Sequence, residues 1–417
     1  MTRPAAGADT GTPWPGDAVT GSALTLRNGR LADGRAVDVT LRGGRVARIA
    51  DADPQAPAEG AEIELGGLLL LPGLVDGHIH LDKTLTGLPW RPHIPGDGVA
   101  ARVAAEKRAL AEAGVPVAER AMALVRQVAA FGSTALRSHV DIDGDIGLAG
   151  LEALLALREE VRDLTDIQLV AFPQSGVLAD PGTPELLDAA VRGGAEAVGG
   201  LDPGSFDGDV AGQLDIVFGI AERRGCLIDI HLHDPGALGA FQLQQIGERS
   251  RALGLQGRVA VSHAWALGAV DDETFGATAE ALAAGGVAIV TNGAGAEPMP
   301  PVKRLRAAGV TVIAGSDNIR DSWSPYGSGD MLERARLIGW RSGFNTDEDL
   351  ALALAMATEE AARVLGLRGY GLAEGCRADL IAVRASCVPE AVATFPPRAL
   401  VVKGGRVIAR DGALLAE

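Results

Sequence analysis

"GLVDGHIHLDK", residues 73–83, sets two histidines one residue apart behind the apolar run 68–71. Side chains alternate between the two faces of a strand, so His78 and His80 point the same way. The chain has only seven histidines, and two aimed into one small volume read as a site rather than as core.

Working outward, seven further segments share the form of an apolar run that ends in polar chemistry. They are "TALRSHVD" (134–141), "DIQLVAFPQ" (166–174), "AEAVGGLD" (195–202), "CLIDIHLH" (226–233), "RVAVSHA" (258–264), "VAIVTN" (287–292) and "TVIAGSD" (311–317). Ala/Leu/Glu/Arg-rich stretches with helical periodicity lie between most of them, such as "LAGLEALLALREEVRDL" (148–164) and "TAEALAAG" (278–285). Eight strand-helix units predict an α/β protein built as a (β/α)8 TIM barrel, with a doubly wound sheet as the alternative. Further helical stretches follow the eighth strand at 329–340 and 346–367.

The two ends of the chain have a different texture. "ALTLRNGRL" (23–31), "AVDVTLRGGRVARIA" (36–50) and "AEIELGGLLLL" (61–71) read as short strands, with Asn-Gly and Gly-Gly pairs as hairpin turns. "ADLIAVRA" (378–385) and "ALVVKGGRVIARDG" (399–412) repeat that texture, and "LRGGRVARI" closely resembles "VKGGRVIAR". The organisation expected is therefore a loose tail over 1–21, a barrel over 72–369, and a composite β-sandwich from 22–71 and 370–417.

Composition narrows the function. A hydrophobic fraction of 47% and a charged fraction of 22% are those of a globular protein. A net charge of −16 argues against nucleic acid or an anionic membrane as partner. Cys226, Cys376 and Cys387 form no CxxC pair, the N-terminus lacks the apolar segment of a signal peptide, and no run reaches membrane-spanning length. A cytoplasmic location and a homo-oligomer are expected.

In a (β/α)8 barrel the C-terminal strand ends converge on one mouth, where active sites lie. Six of the seven histidines fall there: His78, His80, His139, His231, His233 and His263, together with Asp141, Gln174, Asp202, Asp234, Asn292, Asp317 and Asn318. A lone histidine at a strand end is more often structural than a ligand. The His-x-His pair joined by His231 and Asp317 from other strands instead suits a four-ligand metal shell. His139 and Asp141 read as scaffolding beneath the site, and His93, in "RPHIPGDG", as a solvated loop residue.

The motifs "HIH", "IHLHDPG", "VSHAW" and "GSDN" resemble the amidohydrolase superfamily over nearly the whole chain. "RSHVDID", "DIQLVAFPQSG" and "EAVGGLDP" are similar to its cytosine deaminase branch. "HIHLDK", "GGLDP", "SHAW" and "SDNIRDSW" are similar to the triazine-degrading N-isopropylammelide isopropylaminohydrolase members of that branch. The resemblance implies one divalent ion, zinc first and iron or manganese next, on His78, His80, His231 and Asp317. No lysine ends the fourth strand, where two-metal members carry a bridging one. It further implies Asp317 as proton acceptor, His263 as stabiliser of developing charge, and His233 or Asp234 as proton shuttle, with His233 favoured. Gln174, Lys83, Trp323 and Asn318 would contact an N-heterocyclic small molecule. Gln174 would use both the donor and the acceptor of its amide, and Lys83 would meet either an anionic ring oxygen or Asp82. The expected reaction is hydrolytic removal of an exocyclic amino or alkylamino group. The alternatives are ring opening of a cyclic amide and a non-catalytic binding barrel.

Overall fold

The computed structural model describes residues 23–94 and 98–415; the tail expected over 1–21 lies outside them. Eight strands follow one another in parallel register: β6 (Leu74–Ile79), β7 (Ser133–Asp141), β8 (Asp166–Phe172), β9 (Ala197–Leu201), β10 (Leu227–Leu232), β11 (Val259–His263), β12 (Ala288–Thr291) and β13 (Val312–Ala314). They are the eight segments expected, and helices cover the outside. Their runs of Val, Ile, Leu and Ala are buried on both faces, as parallel strands between an interior and a helical layer must be.

The ring is drawn together between β13 and β6 by a bridge between Asp317 and Ile79, in which the Asp317 N–H donates to the His78 carbonyl at 2.7 Å. Gly315 makes that approach possible. A Cβ there would stand 2.5 Å from the Cβ of His78 and 2.9 Å from its nitrogen.

The second unit is one mixed sheet of nine strands contributed by both ends of the chain. Its N-terminal strands are β1 (Leu24–Arg30), β2 (Ala36–Arg42), β3 (Arg45–Asp51), β4 (Ala61–Glu64) and β5 (Leu69–Pro72). Its C-terminal strands are β14 (Leu380–Val383), β15 (Arg398–Lys403), β16 (Arg406–Arg410) and β17 (Ala413–Leu414). The start of β3 returns to the segment before β14: Val46 N–H donates to the Cys376 carbonyl at 2.9 Å, and Ala378 N–H to Gly44 at 2.8 Å. The expected sandwich is thus a single sheet folded over on itself around Leu26, Val39, Leu41, Leu70, Leu380 and Val402. Lys403 fastens it to the barrel, reaching Asp166 at the start of β8 (2.7 Å) and Asp379 (2.9 Å).

Three local expectations change. Gly43–Gly44 and Gly404–Gly405 turn hairpins. Gly66–Gly67 does not, since β4 and β5 on either side of it both pair in parallel with β1 rather than with each other, and neither does Asn28–Gly29. It is an irregularity within β1, where the pairing with β2 shifts between Leu26 and Gly29 and Asp38 accepts the Asn28 N–H at 2.8 Å. The helical stretch at 346–367 is two helices, Asp347–Met356 and Glu359–Leu365, because the Ala357 carbonyl between them accepts the N–H of Val75 from β6.

Candidate metal centre and active site

His78 and His80 leave β6 with both rings inside the barrel mouth, as alternation requires, and His231 on β10 meets them from across the barrel. The Nε2 atoms of His78 and His80 are 3.2 Å apart, and those of His80 and His231 are 3.4 Å apart. Asp317 Oδ1 lies 3.4 Å from the Nε2 atoms of both His78 and His80. Separations of this size are those of donors sharing one cation at about 2.0–2.2 Å from each.

The protonation chemistry agrees. Burial drives the His80 and His231 imidazoles well below their ordinary pKa, reinforced by Lys83 near the first and by the neighbouring histidines near the second. Burial alone would raise the Asp317 carboxyl, but His263, His78 and His80 outweigh it and hold the group well below the usual carboxylate range. Neutral imidazoles and an ionised carboxylate are the forms that bind a metal. Three imidazole nitrogens converging on one point have no hydrogen-bonding complement for one another, and a cation satisfies all of them. The four ligand positions expected from the sequence are therefore brought together in a geometry that fits a divalent ion.

Three strand ends carry their polar residue on left-handed backbone: Asp202 (φ 35°), His263 (φ 73°) and Asp317 (φ 60°). Non-glycine residues seldom adopt that conformation, and it gathers at functional sites. Asn292 donates to the second oxygen of Asp317 at 2.7 Å, and His263 Nδ1 lies 3.9 Å from that oxygen. His231 stacks on Phe172 at 4.0 Å between centroids, and His233 stacks on His263 at 4.4 Å.

His233 Nδ1 is 2.8 Å from Asp202 Oδ2. Burial opposes protonation of His233, yet the Asp202 carboxylate wins and its pKa is raised. His233 lines the cavity with Lys83, Gln174, His263, Asn318 and Trp323. Asp234 does not. Its Oδ2 accepts from Gln242 Nε2 at 2.8 Å and from Ser205 N–H at 3.2 Å.

Lys83 is held by carboxylates other than Asp82. Its ammonium pairs with Asp141 Oδ1 at 2.8 Å and approaches Glu106 Oε2 at 3.4 Å, whereas Asp82 turns to accept the Asp141 N–H. Lys83 and Asp82, in the turn after β6, make no direct ion pair, though the Asp82 carboxylate still favours the charged Lys83. Lys83 also donates to Gln174 Oε1. That contact orients the Gln174 amide, whose N–H2 and second oxygen lone pair stay open to a ligand. Burial opposes the charge on Lys83, but Asp141 and Glu106 prevail and raise its pKa. Asp141, expected as scaffolding, lies outside the cavity lining and holds Lys83 from behind. His139 is fully buried, with its ring 4.1 Å from that of His78.

Glu106 was not legible in the sequence. It reaches in from the helix Val99–Ala113, in the excursion after β6, and its carboxylate accepts from Trp323 Nε1. Nothing in "VAAEKRAL" distinguishes it from a surface glutamate. His93, read as a solvated loop residue, is half-buried, with Nε2 3.1 Å from the Ser322 carbonyl. It lines a larger neighbouring cavity of about 290 Å³ with Trp90, Arg108 and Arg320, and that cavity contains none of the ligands. Among the described residues no helix is long and apolar enough to cross a membrane.

Residues 61–409 match the family described as "Amidohydrolase family". N-isopropylammelide isopropyl amidohydrolase of Pseudomonas sp. (strain ADP) is 33% identical, the match covering 94% of this chain and 98% of that one. The crystal structure of N-isopropylammelide isopropylaminohydrolase from Burkholderia multivorans superposes with a TM-score of 0.90 at 45% identity, covering 94% of this chain and 100% of that one. 5-Methylcytosine deaminase from Klebsiella pneumoniae, liganded with 5-fluorocytosine, superposes with a TM-score of 0.81 at 28% identity, covering 94% and 99%. With the barrel, the converging ligands and these likenesses together, the chain belongs to the amidohydrolase family.

Proposed function

We propose that this protein is a metal-dependent aminohydrolase that removes an exocyclic amino or alkylamino group from an N-heterocycle, a cytosine-like pyrimidine or an ammelide-like s-triazine. The observation that carries the reading is the convergence of His78, His80, His231 and Asp317, with the His233–Asp202 pair beside it. A divalent ion, zinc first and iron or manganese with the same donors, lowers the pKa of a water it binds from about 15.7 toward 7 and so supplies a nucleophile at neutral pH.

The remaining work falls to side chains. Asp317, steadied through its second oxygen by Asn292, takes the proton of the attacking water. His263, packed between His233 and Asp317, stabilises charge developing on the attacked carbon's oxygen. His233, held by Asp202 in a protonatable state, delivers a proton to the departing nitrogen. The Gln174 amide, oriented by Lys83, offers a donor and an acceptor and so suits an N–C=O ring edge, with the Lys83 ammonium supplying positive charge beside it. Trp323 and Asn318 also line the cavity, with the Trp323 ring 5.9 Å from the Lys83 ammonium.

One metal per chain is supported by the end of β9, which carries Leu201 and Asp202 and no lysine. The likeness to two N-isopropylammelide hydrolases weighs toward an alkylamine leaving group. Purified protein assayed with cytosine, isocytosine, ammelide and N-alkylammelides should release ammonia or alkylamine from at least one, and a chelator should abolish the release. No release from any of them, with hydrolysis of a hydantoin or dihydropyrimidine instead, would overturn the reading.

A further inference from the structure

We propose that Arg137, Asp229 and Ser262 are positioning residues that fix the tautomer of His78, so that its Nε2 lone pair faces the ion. This rests on the metal reading above and adds three residues that touch neither metal nor substrate. They come from β7, β10 and β11, one layer beneath the rim, and are at most 1% exposed.

The protons along this chain of contacts can each be placed. Arg137 Nη1 donates to Asp229 Oδ2 at 2.8 Å, and Gln168 Oε1 holds the Arg137 Nε at 2.7 Å, which sets the plane of the guanidinium. An arginine-paired carboxylate is ionised and only accepts. Ser262 Oγ is 2.9 Å from Asp229 Oδ1, so its single proton must go there. Ser262 Oγ is also 2.7 Å from His78 Nδ1, and with its proton spent it can only accept. His78 Nδ1 therefore carries a hydrogen and Nε2 does not. A buried arginine–carboxylate pair adds little stability over apolar residues of equal volume; here it sends a fixed polarity through a serine to a ligand.

The mechanism makes an unusual forecast. In Asp229→Asn the arginine keeps the amide oxygen on its side and turns the amide N–H2 toward Ser262. Ser262 then accepts from the amide and points its own proton at His78 Nδ1, which imposes the wrong tautomer. Ser262→Ala merely removes the constraint. Asp229 Oδ1 also lies 3.6 Å from His139 Nε2, so an effect routed through His139 has to be separated; the double variant does this.

The test is zinc affinity of the full-length apoprotein, read by competition with a chromophoric chelator, with circular dichroism to confirm folding. Ser262→Ala should bind zinc about 10-fold more weakly and Asp229→Asn about 100-fold more weakly, the range for removing a partner of a ligating histidine. Ser262→Ala/Asp229→Asn should return to the level of Ser262→Ala alone, and Ser262→Thr should match wild type. Asp229→Asn no weaker than Ser262→Ala, or a double variant weaker by the product of the two, overturns the proposal. If Asp229→Asn does not fold, equal affinity of Ser262→Ala and Ser262→Thr overturns it. Wild type that holds no zinc contradicts the metal reading itself, whereas tight binding by wild type and Ser262→Ala alike contradicts the tautomer assignment alone.

Discussion

His233 and Asp234 are neighbours with opposite surroundings, and alternation explains why. His231 and His233 share the face that looks into the barrel mouth, while Asp234 falls on the other side against Gln242. His233→Ala should lower turnover by about 10²–10⁴-fold, the range for a lost general acid. Asp234→Ala should cost less than about tenfold, with metal content unchanged in both; steady-state kinetics with metal analysis decides, and the reverse ranking would return the shuttle to Asp234. At this scale the sequence was most readable where spacing alone aims a side chain. The placement of His78, His80, His231 and His233 followed from a period of two along a strand. Glu106 escaped because its position depends on how a helix folds back over the mouth, and no local pattern encodes that. The pairing of Lys83 with Asp141 escaped for a related reason, since it joins two strand ends whose distance only the closed barrel sets.

Strands were legible because each is an apolar run with one polar terminus, and all eight appear where the pattern put them. What the pattern lacks is how closely strands approach. The seam between β6 and β13 carries three of the four ligands, and it tolerates no side chain at Gly315. Gly315→Ala should force His78 and Asp317 apart, destabilise the fold by about 1–3 kcal/mol, and weaken zinc binding; urea denaturation and chelator competition would check this. Unchanged stability and affinity would mean that the seam has slack. The Asn28–Gly29 dipeptide was misread as a turn because the same residues serve any left-handed position, including an irregularity inside a strand (Asn28 φ 51°). The break at Ala357 was invisible because its cause, Val75, lies far away in sequence.

For the molecule as a whole, the kinship of the two chain ends was readable in the repeated "GGRV" hairpins, but the folding of their sheet onto itself was not. That curl depends on bonds between residues 44–46 and 376–378, which no local window contains. The junction between sheet and barrel invites a stability test. Lys403→Met takes the ammonium from Asp166 and Asp379, but Arg377 still pairs with both, at 2.6 Å and 3.2 Å, so the cost in urea denaturation should fall below the about 3–5 kcal/mol of an uncompensated buried charge. Elemental analysis of protein purified without chelators should find close to one transition metal per chain; two at full occupancy would revive the ring-opening alternative. The proposed reaction sends the proton to the exocyclic nitrogen, with His233 placed beside that group and Gln174 at the ring edge. The most direct test is mass spectrometry of the turnover products in oxygen-18 water, using whichever heterocycle the amine-release assay identifies. The account predicts an intact ring carrying one oxygen-18 at the carbon that bore the amine, with free ammonia or alkylamine. A ring-opened acid, or a ring product without label, would contradict it.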